Sequence, residues 1–336
     1  MIKMRILIDI VHTADINFWK KAVEEMSKKG HKVSFTVLRR GNLLEIAKKE
    51  YANYEIIPLG THRTNFIGKI WSITMRELGF LSLYLRRRFD VVTSFGFYPG
   101  FLARPLGMRA VHFHDDKEYR QNYLCSRLFA SKFISFCEAK ESKKVKVVNT
   151  YKELTYLYDN IKTDTKYFDK LGIKKEKYIY VRDISNISLN YSDNKLISYD
   201  NLFDAARKKG YKIVYDSESG KVPYDNVISF EGIHTFEEMI AIKKYAALVI
   251  TSGDTVLREA ALLGTPVIYT SPREMSINKK LNKIGLFETC LNSESLVKKG
   301  LKMLNPKTKA NMIKKASAHI KTCEDATKII LKELLN

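Results

Sequence analysis

The sequence predicts an α/β protein built as two doubly wound domains, each a parallel sheet covered by helices on both faces. Three observations predict it. Short apolar runs alternate with stretches of helical periodicity along most of the chain, the pattern of β–α–β units. The runs are apolar throughout rather than alternating, as strands buried on both faces are. The rhythm breaks once, at a polar Tyr-, Lys- and Asp-rich stretch over 149–177, and then resumes. At 336 residues, 45% of them hydrophobic, the chain is long enough for two cores.

The elements follow in order. Residues 4–10, MRILIDI, form the first strand. Ile16, Trp19, Val23 and Met26 then recur at helical spacing, and Gly30 supplies a stop. Residues 31–38 give the next strand, and 91–94, 109–113, 133–136 and 145–148 continue the series. The stretch 149–177 reads as the connection. A second series places strands at 178–181, 212–215, 227–230, 248–251 and 266–269, with helices at 202–209, 235–245 and 255–263. Basic helical sequence runs from 293 to the end. The expected domains are 1–160, an acceptor domain, and 161–310, a nucleotide-sugar domain, with 311–336 a C-terminal helix packing back on the first. No short repeat is visible, which excludes a solenoid.

Lys and Arg total 58 against 37 Asp and Glu, a net charge of +21. Such a chain suits an anionic partner. The tightest basic clusters, 86–88 and 140–146, lack the aromatic interleaving of a single-strand RNA binder, so nucleic acid is not the expected partner. Cys125, Cys137, Cys290 and Cys323 form no CxxC pair and no zinc spacing; they read as reduced cytoplasmic thiols. The first apolar run is cut by Asp9 and His12, too early for a signal peptide. Residues 71–85, WSITMRELGFLSLYL, end in three arginines. They read either as a helix lying on the inner face of an anionic membrane or as a core helix with a basic end, with the core helix preferred.

The most informative segment is 248–272, LVITSGDTVLREAALLGTPVIYTSP. A buried strand ends at Thr251, a small turn follows, and a helix opens near Thr255. Small residues let the backbone approach a ligand, and the amides of a new helix suit a diphosphate. Ligands of open α/β sheets lie at the carboxyl ends of strands, where this turn falls. Glu259, one turn after Thr255, can reach back as an acceptor for ribose hydroxyls. The plain alternative is a helix cap by Ser252 or Asp254 with Glu259 solvated.

The pattern Ser252-Gly253-x-Thr255-x-x-x-Glu259-Ala260-x-x-x-Gly264-x-Pro266 resembles the nucleotide-binding motif of GT-B glycosyltransferases. Among them it resembles the enzyme that adds N-acetylglucosamine to lipid-linked muramyl peptide, and it is similar also to that of the UDP-N-acetylglucosamine 2-epimerases. Closer still, the chain resembles a largely archaeal family of predicted GT-B glycosyltransferases. That resemblance rests on IDIVHTADINFWK from Ile8, GHKV from Gly30, YKELTYL from Tyr151, YIYVRD from Tyr178 and REAALLGTPVI from Arg258. It implies two Rossmann-like domains facing a cleft and a nucleotide-diphosphate sugar as donor, with UDP the expected nucleotide. It also implies a glycan or lipid-linked acceptor and inverting transfer without metal or cofactor. Ser252, Gly253, Thr255 and Glu259 would then meet diphosphate and ribose, and the Gly232-Ile233 loop the base. Asp254 stands where the pattern has Gly, and Asp15 and Asn17 where it has His. An Asp beside a diphosphate needs a cation such as Arg258 or Arg273.

Other groups fall into roles around that frame. Inverting transfer needs a base on the acceptor hydroxyl. Asp15, after the first strand, is the first candidate and His12 the second; the alternative is that Asp15 caps the helix beginning at Ile16 and Asp9 accepts turn amides. His112, His114, Asp115 and Asp116 resemble a metal cluster, but no distant ligand completes it. His114 and Asp115, with His62 and Arg63, are expected at the sugar or acceptor. Arg182 would neutralise diphosphate, and Arg273 and Glu274 would read sugar hydroxyls or enter a helix. Two other functions compete: an isomerase like the 2-epimerases, using the donor site without an acceptor, and a non-catalytic sugar-nucleotide or nucleic-acid binder.

Overall fold

The computed structural model describes residues 3–63, 65–157, 161–184, 197–218, 220–230, 232 and 234–336. The chain forms two compact units, Met1–Tyr156 with Glu324–Asn336, and Leu157–Cys323.

The first unit runs β1 (Arg5–Ile10), α1 (Thr13–Lys28), β2 (Lys32–Arg39), α2 (Leu43–Glu50), β3 (Glu55–Thr61) and α3 (Phe66–Arg86). It continues through β4 (Val91–Ser94), α4 (Tyr98–Ala103), β5 (Arg109–His114), α5 (Arg120–Phe129), β6 (Lys132–Ser135) and β7 (Val145–Val147) to a 3₁₀ turn at Lys152–Thr155. Its sheet is parallel, in the order β3-β2-β1-β4-β5-β6-β7. The chain therefore starts mid-sheet, winds outward to β3, then returns to place β4 beside β1. The strand order reverses there, which opens a crevice at the carboxyl ends of those two strands.

Helix α1 forms because Ile16, Trp19, Val23 and Met26 share one buried face. Phe18 and Trp19 meet Phe95 and Phe113 edge-on, with Phe18–Phe95 centroids 4.5 Å apart and Trp19–Phe113 5.4 Å. Strand β3 went unread in the sequence because Pro58 and Gly60 look like turn residues. At a sheet edge both are tolerated.

The second unit runs α6 (Tyr167–Lys170), β8 (Tyr178–Asp183), α7 (Asp200–Lys208), β9 (Lys212–Ser217), β10 (Ile228–Ser229), α8 (Phe236–Lys244), β11 (Leu248–Thr251) and α9 (Asp254–Leu262). Next come β12 (Val267–Tyr269), α10 (Ser276–Lys283), β13 (Glu288–Thr289), α11 (Ser293–Met303) and α12 (Pro306–Ile320). Its parallel sheet has the order β10-β9-β8-β11-β12-β13, reversing between β8 and β11.

Two expectations need correction. The stretch from 149 is not all connection: Tyr151, Glu153, Thr155 and Tyr156 are buried in the first unit, because its aromatic side chains find a place beside α1. The segment 311–336 is not one returning helix. Helix α12 belongs to the second unit, and α13 (Ala326–Leu335) alone belongs to the first. Ile329, Ile330 and Leu334 bury its apolar face there. Lys146 pairs with Glu333 at 2.9 Å, and the Arg109 guanidinium donates to the carbonyls of Glu333 and Asn336.

Candidate functional site

In the first unit the carboxyl ends of the strands gather charged groups. Helix α1 starts at Thr13, three residues earlier than the sequence suggested, and His12 rather than Asp15 is its N-cap. The His12 Nδ1 accepts from the Ala14 amide at 3.3 Å. Asp15 lies in the first turn and reaches back, its Oδ2 accepting from the amides of Val11 (3.2 Å) and His12 (3.0 Å). The reciprocal arrangement is a capping box, so part of the capping alternative holds.

Asp15 is also 5% exposed. Burial raises its pKa to about 6, against the pull of Lys152 and the two amides. A carboxylate so poised is ionised at neutral pH and still basic enough to take a proton. His12 itself is exposed. Desolvation, then the charges of Arg40 and Lys152, lower its pKa to about 4. It is therefore a neutral imidazole at physiological pH.

Asp115 ends this row after β5, 7% exposed, and pairs with Lys152 at 2.8 Å. His114 Nδ1 accepts from the Asp116 amide at 3.1 Å, and burial lowers its pKa. His112 is fully buried, with Nδ1 2.8 Å from the Ser126 carbonyl, a core position against Gly100. Among the described residues no group of three His, Cys, Asp or Glu is placed to hold a metal ion. His62 and Arg63 lie exposed just past β3; the charge of Arg40 acts on His62 as on His12. Asp9 is not a turn acceptor. It is wholly buried, ion-paired with Arg76 and accepting from Thr36 at 2.7 Å.

In the second unit β11 ends in Thr251, and the turn Ser252-Gly253 opens α9 beside the switch point. The Thr251 Oγ1 donates to the Arg182 carbonyl (3.0 Å) and accepts from the Gly253 amide (3.0 Å). The Ser252 Oγ accepts from the Ile184 amide at 2.9 Å. The turn is thus tied across to the end of β8. Gly253 has a packing reason beyond any ligand: a Cβ there would lie 2.7 Å from Ile184 Cγ1. Thr255, two residues further on, is half-buried.

Asp254 meets the electrostatic requirement set by the sequence. Its carboxylate pairs with Arg273 and accepts from Tyr269 Oη and Asn278 Nδ2, both at 2.8 Å. Arg258 donates to Asn278 Oδ1 at 3.3 Å. Glu259 is not a solvated side chain. It is 5% exposed and ion-paired with the equally buried Lys243 of α8. Arg182 is paired with Asp216 on the neighbouring strand. Gly232 has φ +109°, a conformation glycine permits, whereas Ile233 lies outside the described residues.

Beyond the carboxyl ends of β12 and β13 is a cavity of about 430 Å³. Tyr269, Arg273, Glu274, Asn278, Lys279 and Phe287 help line it, and Arg273 and Glu274 also lead into α10. Glu274 is exposed and pairs with Lys279 at 2.8 Å. Lys152, Arg40 and Lys243 were not singled out from the sequence. Lys152 had a signal, since YKELTYL stands out as a motif. Lys243 had none, because its partner lies on another helix.

Two parallel doubly wound units of this topology define the GT-B fold. Residues 142–336 match the family described as protein of unknown function (DUF354), and the chain belongs to that family. No curated protein matches the sequence. Solved structures share the fold at low identity. The UDP-GlcNAc 2-epimerase of Methanocaldococcus jannaschii, in complex with UDP-GlcNAc and UDP, is 15% identical, with TM-score 0.73 and 99% of each chain covered. That of Neisseria meningitidis, bound to UDP-GlcNAc, is 14% identical, with TM-score 0.66 and coverage of 99% of this chain and 100% of that one. The glycotransferase of kitacinnamycin is 12% identical, with TM-score 0.65 and the same coverage.

Proposed function

We propose that the protein is a nucleotide-sugar glycosyltransferase, metal-independent and inverting, that uses Asp15 as its base. The observation carrying this is Asp15 itself, a buried carboxylate fixed by two backbone amides, with its pKa raised to about 6. The acceptor hydroxyl gives its proton to Asp15 as its oxygen bonds to the anomeric carbon. The bond from that carbon to the diphosphate breaks, and the nucleoside diphosphate leaves with the electron pair. Lys152 holds Asp115 and offsets the charge of Asp15. His62, Arg63 and His114 are assigned to the acceptor.

The donor, a UDP-linked sugar in this reading, binds the second unit. Ser252, Gly253 and Thr255 face the diphosphate where α9 opens, Arg182 adds charge, Gly232 and Ile233 meet the base, and Arg273 and Glu274 meet the sugar beside the cavity. Glu259 reaches ribose only if it exchanges its bond to Lys243.

A second reading is favoured by the solved structures named as UDP-GlcNAc 2-epimerases: isomerisation of the sugar at the same donor site. Turnover of a panel of nucleotide sugars separates the two. Transfer releases nucleoside diphosphate only with an acceptor present and is lost in Asp15→Asn. An isomerised nucleotide sugar formed without an acceptor would overturn transfer.

A further inference from the structure

Helix α3, 21 residues long, is apolar on two opposite faces. The inner face carries Arg76, Phe80 and Tyr84, all buried. The outer face carries Ile67, Ile70, Trp71, Met75, Leu78 and Leu85, each between 42% and 79% exposed. At 3.6 residues per turn these six fall on one stripe running the length of the helix, about 30 Å. A helix on a water-facing surface has a polar outer face. Here the interruption at Thr74 makes no demand on solvent, because its hydroxyl donates to the Ile70 carbonyl at 3.0 Å.

The apolar surface does not stop at α3. Helix α4 packs beside α3, and α5 beside α4. Phe101 of α4 meets Phe129 of α5 edge-on at 4.8 Å, and Phe101, Leu124 and Leu128 are 43%, 60% and 63% exposed. Isolated exposed leucines are ordinary, but a run of this extent marks an interaction surface.

Cations flank it. Arg104 and Lys144 both donate to the Leu128 carbonyl at 2.9 Å, drawing two positive charges onto one exposed leucine. Arg127 stands close enough that its charge, with that of Arg104, adds to burial in lowering the Lys144 pKa. Among the described residues none of these three pairs with a carboxylate. Arg86, Arg87 and Arg88 lie exposed at the C-terminal end of α3, Arg87 paired with Glu55. Apolar side chains beside unmatched cations are what an interface of anionic headgroups and acyl chains accommodates.

We propose that the outer face of α3, with the exposed side chains of α4 and α5, docks on an anionic lipid bilayer. Among the described residues no helix is long and apolar enough to cross a membrane, so α3 lies in the interface rather than through it. A convex, helix-long stripe offers no groove for a peptide, and the cations specify the sign of the lipid charge. The docking does not depend on the transfer reading; joined to it, the surface gives the acceptor a lipid-borne source.

The test is co-sedimentation of the full chain with phosphatidylcholine vesicles, with and without phosphatidylglycerol, at low and high salt. Binding is expected only with the anionic lipid, weakened by salt. Trp71→Ser with Leu78→Ser should weaken it at least tenfold while the circular dichroism and thermal midpoint stay unchanged. Arg104→Gln, Arg127→Gln and Lys144→Gln together should weaken it by roughly 100-fold, at about fivefold per cation. Equal binding to both vesicle types, or none, overturns the proposal. So does a dimer in solution that Trp71→Ser abolishes, which would make the face a contact between copies. Vesicle binding without any nucleotide-sugar binding would keep the docking and remove the transfer.

Discussion

Asp15→Asn separates a catalytic carboxylate from a capping one, because the two roles move stability in opposite directions. The Asp15 pKa is raised from 3.8 to about 6 by burial. A shift of about 2 units corresponds to roughly 3 kcal/mol. A raised folded pKa means that stability is fully present below the unfolded value, near 4, and is lost as pH rises through 6. At pH 8 the wild type therefore carries the whole cost of an ionised buried carboxylate. Asparagine removes that cost and still accepts from the Val11 and His12 amides, as the protonated carboxyl does. The variant should be more stable than wild type by about 2–3 kcal/mol at pH 8 and nearly indistinguishable from it at pH 4. Calorimetry at the two pH values reads this directly. Turnover should fall by ~10²-fold or more. The wild-type kcat/KM should rise with pH along a limb centred near 6, which the variant lacks. His12, held to about 4, cannot supply that limb. A variant with full turnover, or one destabilised more at pH 8 than at pH 4, would rule out Asp15 as the base.

Other outcomes follow from the same geometry. Lys152→Met removes the cation that lowers the Asp15 pKa, so the acid limb should move above 6; a limb that stays put would show that Lys152 does not act on Asp15. Glu259→Ala strands the buried Lys243 and should cost about 3–5 kcal/mol, whereas Glu259→Leu with Lys243→Met should recover most of it in urea unfolding. If the double variant also binds UDP like wild type, Glu259 has no ribose role. Glu77 has both carboxylate oxygens buried without a hydrogen-bond partner among the described residues, and burial raises its pKa to about 8. Its stability contribution is present below 4.5 and lost as pH rises through 8, so Glu77→Gln should raise the thermal midpoint at pH 8.5 and leave it near wild type at pH 4. An equal shift at both would place the effect in packing.

Much of the fold was legible because strands buried on both faces write themselves as apolar runs. The turn at 252–253 was legible for the same reason, standing between one such run and a helix that Gly264 ends. What stayed hidden depends on chain segments meeting. The Lys243–Glu259 and Lys152–Asp115 pairs join residues on different elements, and no spacing announces them. Asp254 was recognised as needing a cation, and Arg273 was one of two named, but Tyr269 and Asn278 were not anticipated as its other partners. Helix α3 misled in a different way. Periodicity marks an apolar face but not the side it points to, and with two apolar faces the preference for a core helix covered only half of it.

In the proposed function the second unit holds a nucleotide-diphosphate sugar where α9 opens. A thermal-shift panel of nucleoside diphosphates and their sugars tests it most directly, with Gly253→Val as the control that crowds the Ser252-Gly253 turn. UDP and at least one UDP-sugar should raise the midpoint, by about 2.7 kcal/mol of added stability at a hundredfold excess over Kd. The shift should be lost in the control. No shift with any member of the panel, or the same shift in Gly253→Val, would contradict it.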